Sequence, residues 1–315
     1  MPLPLTLRRR SRLIAVAAFS VAALALSACS GGSAPTASDA ATGSADTRVM
    51  EHAHGETTIP SAAERVVVLE PVQLDTTVAM GVIPVGAAVL NETAGVPAYL
   101  GADAAEIATV GTVAEPNVQL IAAARPDLII GTESRHSALY DQLSEIAPTV
   151  FMATQTDPWR DNVRFVAEAL GDPVGADDLL DAYDARCAEI AEEHDTAGKT
   201  AQLIRPRDGI LTLYGPTSFA GSTLECAGFT TPDQPWEDIS LDLSPERVLE
   251  ARADQVFVTT VDVDDASTMP ASLTANAAAF PGPHLVDQSF WITGVGPLGG
   301  MAVLDDLDRL LSDGS

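Results

Sequence analysis

The chain has 315 residues, 44 of them acidic and 17 basic, for a formal net charge of −27 at neutral pH. An excess of this sign excludes a nucleic-acid partner, because a phosphate backbone is met by a basic face. It keeps a solvated surface apart from its own kind, and any anion site must be built from the few arginines, since Lys199 is the single lysine. Hydrophobic residues make up 46% of the chain, enough at this length to bury two modest domains.

At the start, Arg8, Arg9, Arg10 and Arg12 precede the uncharged run Leu13 to Leu26, "LIAVAAFSVAALAL". This run is shorter than the roughly 20 apolar residues of a spanning helix. A basic head, an apolar stretch and small residues at its end form a secretory signal instead. The run ends in "LSACSGGS" (26–33), where Leu26, Ser27, Ala28 and Cys29 resemble a bacterial lipobox. That resemblance implies cleavage before Cys29 and diacylation of its sulfur. The small, polar, Gly/Pro-punctuated stretch "SGGSAPTASDAATGSAD" (30–46) then reads as a flexible tether. The expected organisation is a signal peptide over 1–28 and a tether over 29–48, followed by a folded body.

Order begins near Val49, where "VMEHAHGETTIP" reads as an edge strand or hairpin. His52 and His54 alternate on one strand face, but no third ligand lies near in sequence, and no metal site is assigned. From Arg65 onward, short β-branched runs alternate with amphipathic segments. Strands are expected at 66–70, 82–89, 127–131 and 148–152, with helices at 72–81, 118–125 and 137–147. Asn117 caps the helix at 118, and Asp157-Pro158 opens another that runs to about Leu170. The longest helix covers Ala176 to His194, with Leu179, Leu180, Tyr183, Cys187 and Ile190 at helical spacing. Strands return at "AQLIR", "ILTLY" and "VFVTT". Strand–helix alternation on both sides of one long helix is the signature of two α/β lobes. The expected fold is therefore α/β, two Rossmann-like lobes over 49–170 and 198–315, joined by an interdomain helix within 171–197.

A weak internal repeat supports the two lobes. Residues 117–132, "NVQLIAAARPDLIIGT", and residues 244–259, "SPERVLEARADQVFVT", align at an offset of 127, with Asn117 on Ser244, Arg125 on Arg252 and Asp127 on Asp254. Export permits a bridge between Cys187 and Cys226. Two cysteines make no framework, however, and both read as small buried residues.

In parallel α/β sheets, ligands collect beyond the carboxyl ends of the strands, which in two facing lobes line a shared cleft. That rule selects Glu70 to Gln73 and Thr132 to His136 in the first lobe. In the second it selects Arg205, Tyr214 to Phe219, and Thr259 to Asp262. Arg135 and Arg205 thus fall on opposite walls, and guanidinium offers a fixed fork of donors for planar oxygens. Aromatics are scarce at 5%. Tyr214, Phe219, Trp236 and Trp291 lie at strand ends or in loops, where a ring can stack on a ligand; Trp159, at a helix start, reads as packing. The chain carries no G-x-S-x-G elbow, H-E-x-x-H or Walker loop, and no enzyme is expected.

The segments "AERVVVLEPVQLDTTVAMGVIPVGAA", "PDLIIGTESRHSALYDQLSEIAPTVF", "LTLYGPTSFAGSTLECAGF" and "DQSFWITGVGPLGGMAVLDDL" together resemble iron–siderophore substrate-binding lipoproteins of ABC importers. The fold of that family, class III of the periplasmic binding proteins, is shared with cobalamin- and haem-binding proteins. The resemblance spans Val49 to Leu311 and implies two lobes on one rigid helix with little closure. It also implies a shallow cleft holding a ferric siderophore, with Arg135, Arg205 and Trp291 at matching positions and no resident cofactor. Haem or cobalamin is the alternative ligand, with His136 as the residue that would serve haem. The implied state is a monomer, lipid-anchored on the outer face of the cell membrane, that docks on the importer's permease through an acid on each lobe. Glu246 matches one of these acids. Its repeat partner, Gln119, departs from the pattern, and Glu115 is the nearby acid that could stand in.

Overall fold

The structure, a computed structural model, describes residues 46–313; the signal segment and Cys29 lie outside the described residues. It opens with the antiparallel hairpin β1 (Thr47–His52) and β2 (Gly55–Pro60), as the sequence predicts. The first lobe follows as β3 (Val66–Val68), α1 (Pro71–Ala79), β4 (Gly86–Val89), β5 (Thr109–Thr112), α2 (Val118–Ala124), β6 (Leu128–Thr132), α3 (Glu133–His136), α4 (Tyr140–Ser144), β7 (Thr149–Met152) and α5 (Trp159–Leu170). Its sheet has the order β5-β4-β3-β6-β7 and is parallel throughout. Buried on both faces, β3 is all valine with no exposed area.

The long helix is α6 (Pro173–Glu193), 21 residues. It starts three residues before the predicted Ala176, because Asp172 accepts a hydrogen bond from the Gly175 N–H and Pro173 occupies the first turn. The second lobe comprises β8 (Ala201–Arg207), β9 (Ile210–Tyr214), α7 (Phe219–Cys226), β10 (Ser240–Leu243), β11 (Gln255–Thr260), α8 (Ala271–Thr274), β12 (His284–Asp287), α9 (Gln288–Trp291) and α10 (Pro297–Asp313). Its sheet, β10-β9-β8-β11-β12, is mixed, with β9 antiparallel to both its neighbours. Among the described residues, no helix is long and apolar enough to cross a membrane.

The repeat is carried by its aspartates. Asp127 accepts the Glu64 and Arg65 N–H groups, and Asp254 accepts the Thr200 N–H and hydroxyl. Each fixes the chain entering its lobe's first parallel strand, β3 or β8. The helices match less well. Asn117 caps α2 through the Leu120 N–H, whereas Ser244 makes no side-chain cap and Pro245–Ala251 is a 3₁₀ helix. Asp157 likewise does not cap α5; its carboxylate accepts the Thr154 N–H.

The described residues form one compact unit, and α6 is the reason. Leu180, Tyr183, Cys187 and Ile190 pack in a single core with Met152, Trp159 and Val163 of the first lobe and Phe219, Phe257 and Trp291 of the second. Each large apolar side chain buried in this way contributes about 1.5–3 kcal/mol. Tyr183 also donates its hydroxyl to Thr223 at 2.9 Å.

A second tie is polar. Asp75, on α1 and with no exposed area, accepts the Leu298 and Gly299 N–H groups at 2.9 and 2.8 Å and the Tyr99 hydroxyl at 3.0 Å. A carboxylate from one lobe thus caps the N-terminus of α10 from the other, where the helix dipole favours a negative charge. Gly296, at φ +146°, leaves room for it; a Cβ there would stand 2.3 Å from the carboxylate.

The two cysteines are bridged, contrary to the sequence reading. The Cys187–Cys226 disulfide spans a sequence separation of 39 and fastens α7 to α6. The bridge depends on the packing of α7 across α6, which spacing does not reveal. We expect Cys226→Ser to cost about 2–4 kcal/mol and to lower Tm by about 5–10 °C, read by thermal unfolding without reductant. An unchanged Tm would mean that the bridge does not form.

Candidate functional site

The strand order of the first lobe reverses between β3 and β6, and ligands in such sheets gather beyond the strand ends at that point. Glu70 follows β3 and Arg135 lies on α3 after β6. They meet there, with Arg135 Nε 3.2 Å from Glu70 Oε1. The arginine side chain is 38% exposed and the glutamate 3%. Gln73 fixes the floor beneath them, accepting the Leu69 N–H and donating to the Gly131 carbonyl. Helix starts directly at Glu133, four residues before the predicted Ser137, so Arg135 sits on a helical turn rather than a loop.

The Glu70 carboxylate stands at the N-cap of α1 without capping it. Its Oε1 is buried and has no hydrogen-bond partner, since the contact with Arg135 is an ion pair without hydrogen-bond alignment. Burial raises the Glu70 pKa to about 7, against the lowering effects of Arg135 and of a hydrogen bond from Thr132. Asp75 is also pushed up to about 7 by burial, its three donors notwithstanding.

His136 is committed to the scaffold. Its Nδ1 accepts the Thr132 N–H at 3.1 Å and its Nε2 donates to the Val113 carbonyl at 2.9 Å. Burial lowers its pKa. With both ring nitrogens engaged and the side chain buried, it is no axial ligand for haem, which corrects the expectation that kept that role open.

In the second lobe Arg205 lies on β8 opposite Thr212, half-buried. Among the described residues its guanidinium has no ion-pair or hydrogen-bond partner. The neighbouring Arg207 is engaged by Thr212 and Asp242. The structure pairs Arg135 with Glu70, not with Arg205.

Two hollows flank the segment 288–295. One, of about 90 Å³, is lined by Tyr214, Thr217, Phe219 and Ile292 with Gln155 and Trp159 of the first lobe. The other, of about 440 Å³, is lined by Pro71, Leu74, Leu90 and Tyr99 against Val261 and Gln288. Tyr214 and Phe219 line the smaller hollow, but β9 runs antiparallel to β8 with Tyr214 level with Leu203, so they do not lie beyond the carboxyl end of a parallel strand as the sequence predicts. Trp159, read as packing, contributes an edge to the smaller hollow, and its indole N–H donates to Ser222.

Trp291 has no exposed area; it stacks on Phe257 with centroids 5.0 Å apart and donates its indole N–H to Asp306. It lines the back of the smaller hollow, although none of its own surface is exposed to solvent. Trp236 lies over the Gly215 backbone against the second lobe's core and lines neither hollow. A loop position in sequence does not reveal that the core has room for the ring.

Away from the hollows, Gln119, Glu115 and Glu246 are exposed, with the exposed leucines Leu120 and Leu249 beside Gln119 and Glu246. His54 lies in the turn after β1, paired with Glu133 at 2.8 Å and stacked on Tyr140, while His52 bonds Thr57. The two histidines thus do not form a common ligand face. Among the described residues, Glu193, His194 and Asp308 could hold a metal, as could Asp184 with Cys187 and Cys226. Asp308 is tied to Arg186, and the two cysteines are bridged.

Glu70 gives a measurable pH dependence. Its folded pKa lies above the ordinary 4.5, so its stabilising share is complete below that value and is lost as the pH rises through about 7. The loss amounts to about 3 kcal/mol. Subtracting the unfolding free energies of Glu70→Gln from those of the wild type between pH 4.5 and 8.5 should leave a fall of that order. A flat difference would show that the carboxylate titrates normally.

Comparison with known proteins places the fold. Residues 66–279 match the family model described as periplasmic binding protein. Over 92% of this chain and 95% of the relative, the sequence is 32% identical to the probable siderophore-binding lipoprotein YfiY of Bacillus subtilis. It is 28% identical to the Fe(3+)-citrate-binding protein YfmC of the same organism, over 79% and 81%. Among solved structures, Staphylococcus aureus SirA complexed with staphyloferrin B superposes with a TM-score of 0.68 at 28% identity, covering 84% of this chain and 99% of that one. These are solute-binding proteins, and the chain belongs to the periplasmic binding protein family.

Proposed function

We propose that this chain is the extracytoplasmic substrate-binding lipoprotein of an ABC importer and that it captures a ferric siderophore. The observation that carries the reading is the exposed Arg135 guanidinium at the strand-order reversal of the first lobe, in a chain whose overall charge repels anions. The chelator already saturates the iron, so the protein needs to supply only charge and flat surfaces. Arg135 and Arg205 supply the charge, while Tyr214 and Phe219 supply the apolar wall. The engagement of His136 disfavours haem, and the names of the relatives above favour ferric chelates. The shared core around α6 supports a binding mode with little closure.

Titration should follow tryptophan fluorescence with ferric citrate, a ferric catecholate, a ferric hydroxamate, haem and cobalamin. We expect saturable quenching by an anionic ferric chelate. The double change Arg135→Ala and Arg205→Ala should weaken it by at least about 10-fold, the equivalent of 1.4 kcal/mol, and hardly alter a cationic hydroxamate complex. Quenching only by haem or cobalamin would overturn the siderophore reading.

The remaining proposals concern placement. Cys29 anchors the monomer by acylation on the outer face of the cell membrane, the tether, which the start of β1 at Thr47 ends two residues earlier than the sequence predicts, gives it reach, and Glu246 docks on a basic residue of the permease. In the first lobe, Gln119 leaves docking to Glu115 or makes it lopsided. Cells carrying Glu246→Arg should lose uptake of radiolabelled iron while the purified variant keeps its affinity, and Cys29→Ser should release the protein from the membrane fraction. Undiminished uptake with Glu246→Arg would remove the docking assignment.

A further inference from the structure

Arg135 is the exposed cation of the first lobe's site, yet it rests on a buried negative charge. Glu70 Oε1 is shielded from solvent, has no hydrogen-bond donor, and faces one guanidinium at 3.2 Å. The carboxylate does no capping work for α1, although it stands where a cap would stand. A ligand anion arriving at Arg135 would therefore share that guanidinium with a second carboxylate, itself buried. Two negative charges so placed repel strongly, and the ordinary resolution is that one of them takes up a proton.

We propose that Glu70 is the proton-accepting counter-ion of Arg135, so that capture of an anionic ferric chelate is accompanied by protonation of Glu70. This rests on the reading that an anionic chelate binds at Arg135. In the free protein above about pH 7, where Glu70 is ionised, the Glu70–Arg135 pair is neutral and presents little net attraction. With the chelate bound, the proton comes from solvent to a Glu70 oxygen, Arg135 keeps its charge, and the guanidinium turns its attraction to the ligand. Glu70 thereby sets the charge class that the cleft accepts and makes affinity fall as pH rises.

The surrounding groups leave this role to Glu70. Thr132, at the end of β6, is a neutral hydroxyl that lends the carboxylate one hydrogen bond. On α3, His136 is neutral with both nitrogens engaged, and Glu133 is paired with His54. On α1, Gln73 is committed to Leu69 and Gly131, and Asp75 to the N-terminus of α10. Asp75 titrates in the same range, so a test must isolate Glu70 by substitution.

The test is isothermal titration of the full folded body with ferric citrate and with ferric tris(2,3-dihydroxybenzoate), at pH 7.5 in PIPES and in Tris. These buffers differ in ionisation enthalpy. The difference in heat gives the protons taken up, and subtracting Glu70→Gln removes those exchanged by the chelate itself. We expect about half to one proton per chelate in the wild type beyond that of Glu70→Gln. We also expect a wild-type Kd that rises up to about 10-fold per pH unit above 7, and a variant Kd that stays nearly level. Arg135→Gln, a second variant, should abolish the excess uptake. Binding with equal proton uptake in wild type and Glu70→Gln overturns the coupling and leaves the transport reading standing. If neither anionic chelate binds the wild type, the reading of an anionic ligand falls and this inference falls with it.

Discussion

The burial of α6 between the two lobes is the constraint on which the rest of the molecule depends. Its apolar side chains are not divided into one set for each lobe. Tyr183 packs against Trp159 at 5.2 Å on the first-lobe side and bonds Thr223 on the other. Its ring also lies against Gly300 of α10, where a Cβ would come within 2.7 Å. Interiors packed at this density respond to displacement by losing contacts outright. A hinge that opened the lobes would have to expose this core, and so the cleft stays where the helix sets it.

The other ties reinforce that joint from three directions. The disulfide fastens α7 to α6, the Asp75 carboxylate holds the start of α10 against α1, and the side chain of Leu298 beside it packs into the first lobe's own core. Each tie joins residues remote from one another in sequence. The segment 288–295 that separates the two hollows is consequently held at both ends, by β12 and by the cap on α10. Binding energy then goes into the ligand rather than into ordering the site.

Within that frame, the site's polarity is set by carboxylates as much as by arginines. A strongly acidic chain can still present a cationic patch if its guanidinium groups lack full neutralisation. Among the described residues Arg205 has no partner and Arg135 has one whose charge can be removed by a proton, whereas Arg160, Arg186 and Arg207 are held by aspartates. The count of basic residues in the sequence does not distinguish these classes; their partners do.

Much of the architecture was legible in the chain. The interior strands β3 and β6 are built on runs of Val, Ile and Leu because both of their faces are covered. The helix α6 shows in its apolar spacing, and Asp127 and Asp254 disclose the doubled lobe. The strands that pattern reading missed, β5, β10 and β12, are all sheet edges, short and half-exposed, with no continuous apolar run to mark them. Of the proposed site, Arg135 follows from the rule that ligands gather beyond the carboxyl ends of parallel strands, whereas Arg205 lies within β8 and Tyr214 and Phe219 follow an antiparallel strand. By itself, then, the sequence determined two α/β lobes, a joining helix and the segments that end at the cleft, because periodicity and capping act over a few residues. Only the tertiary structure decided that Trp291 is core, that Cys187 meets Cys226, that Asp75 caps a helix more than two hundred residues away, and that Glu70 lies beneath Arg135. Those outcomes depend on which groups are brought together from afar and on how much water remains between them.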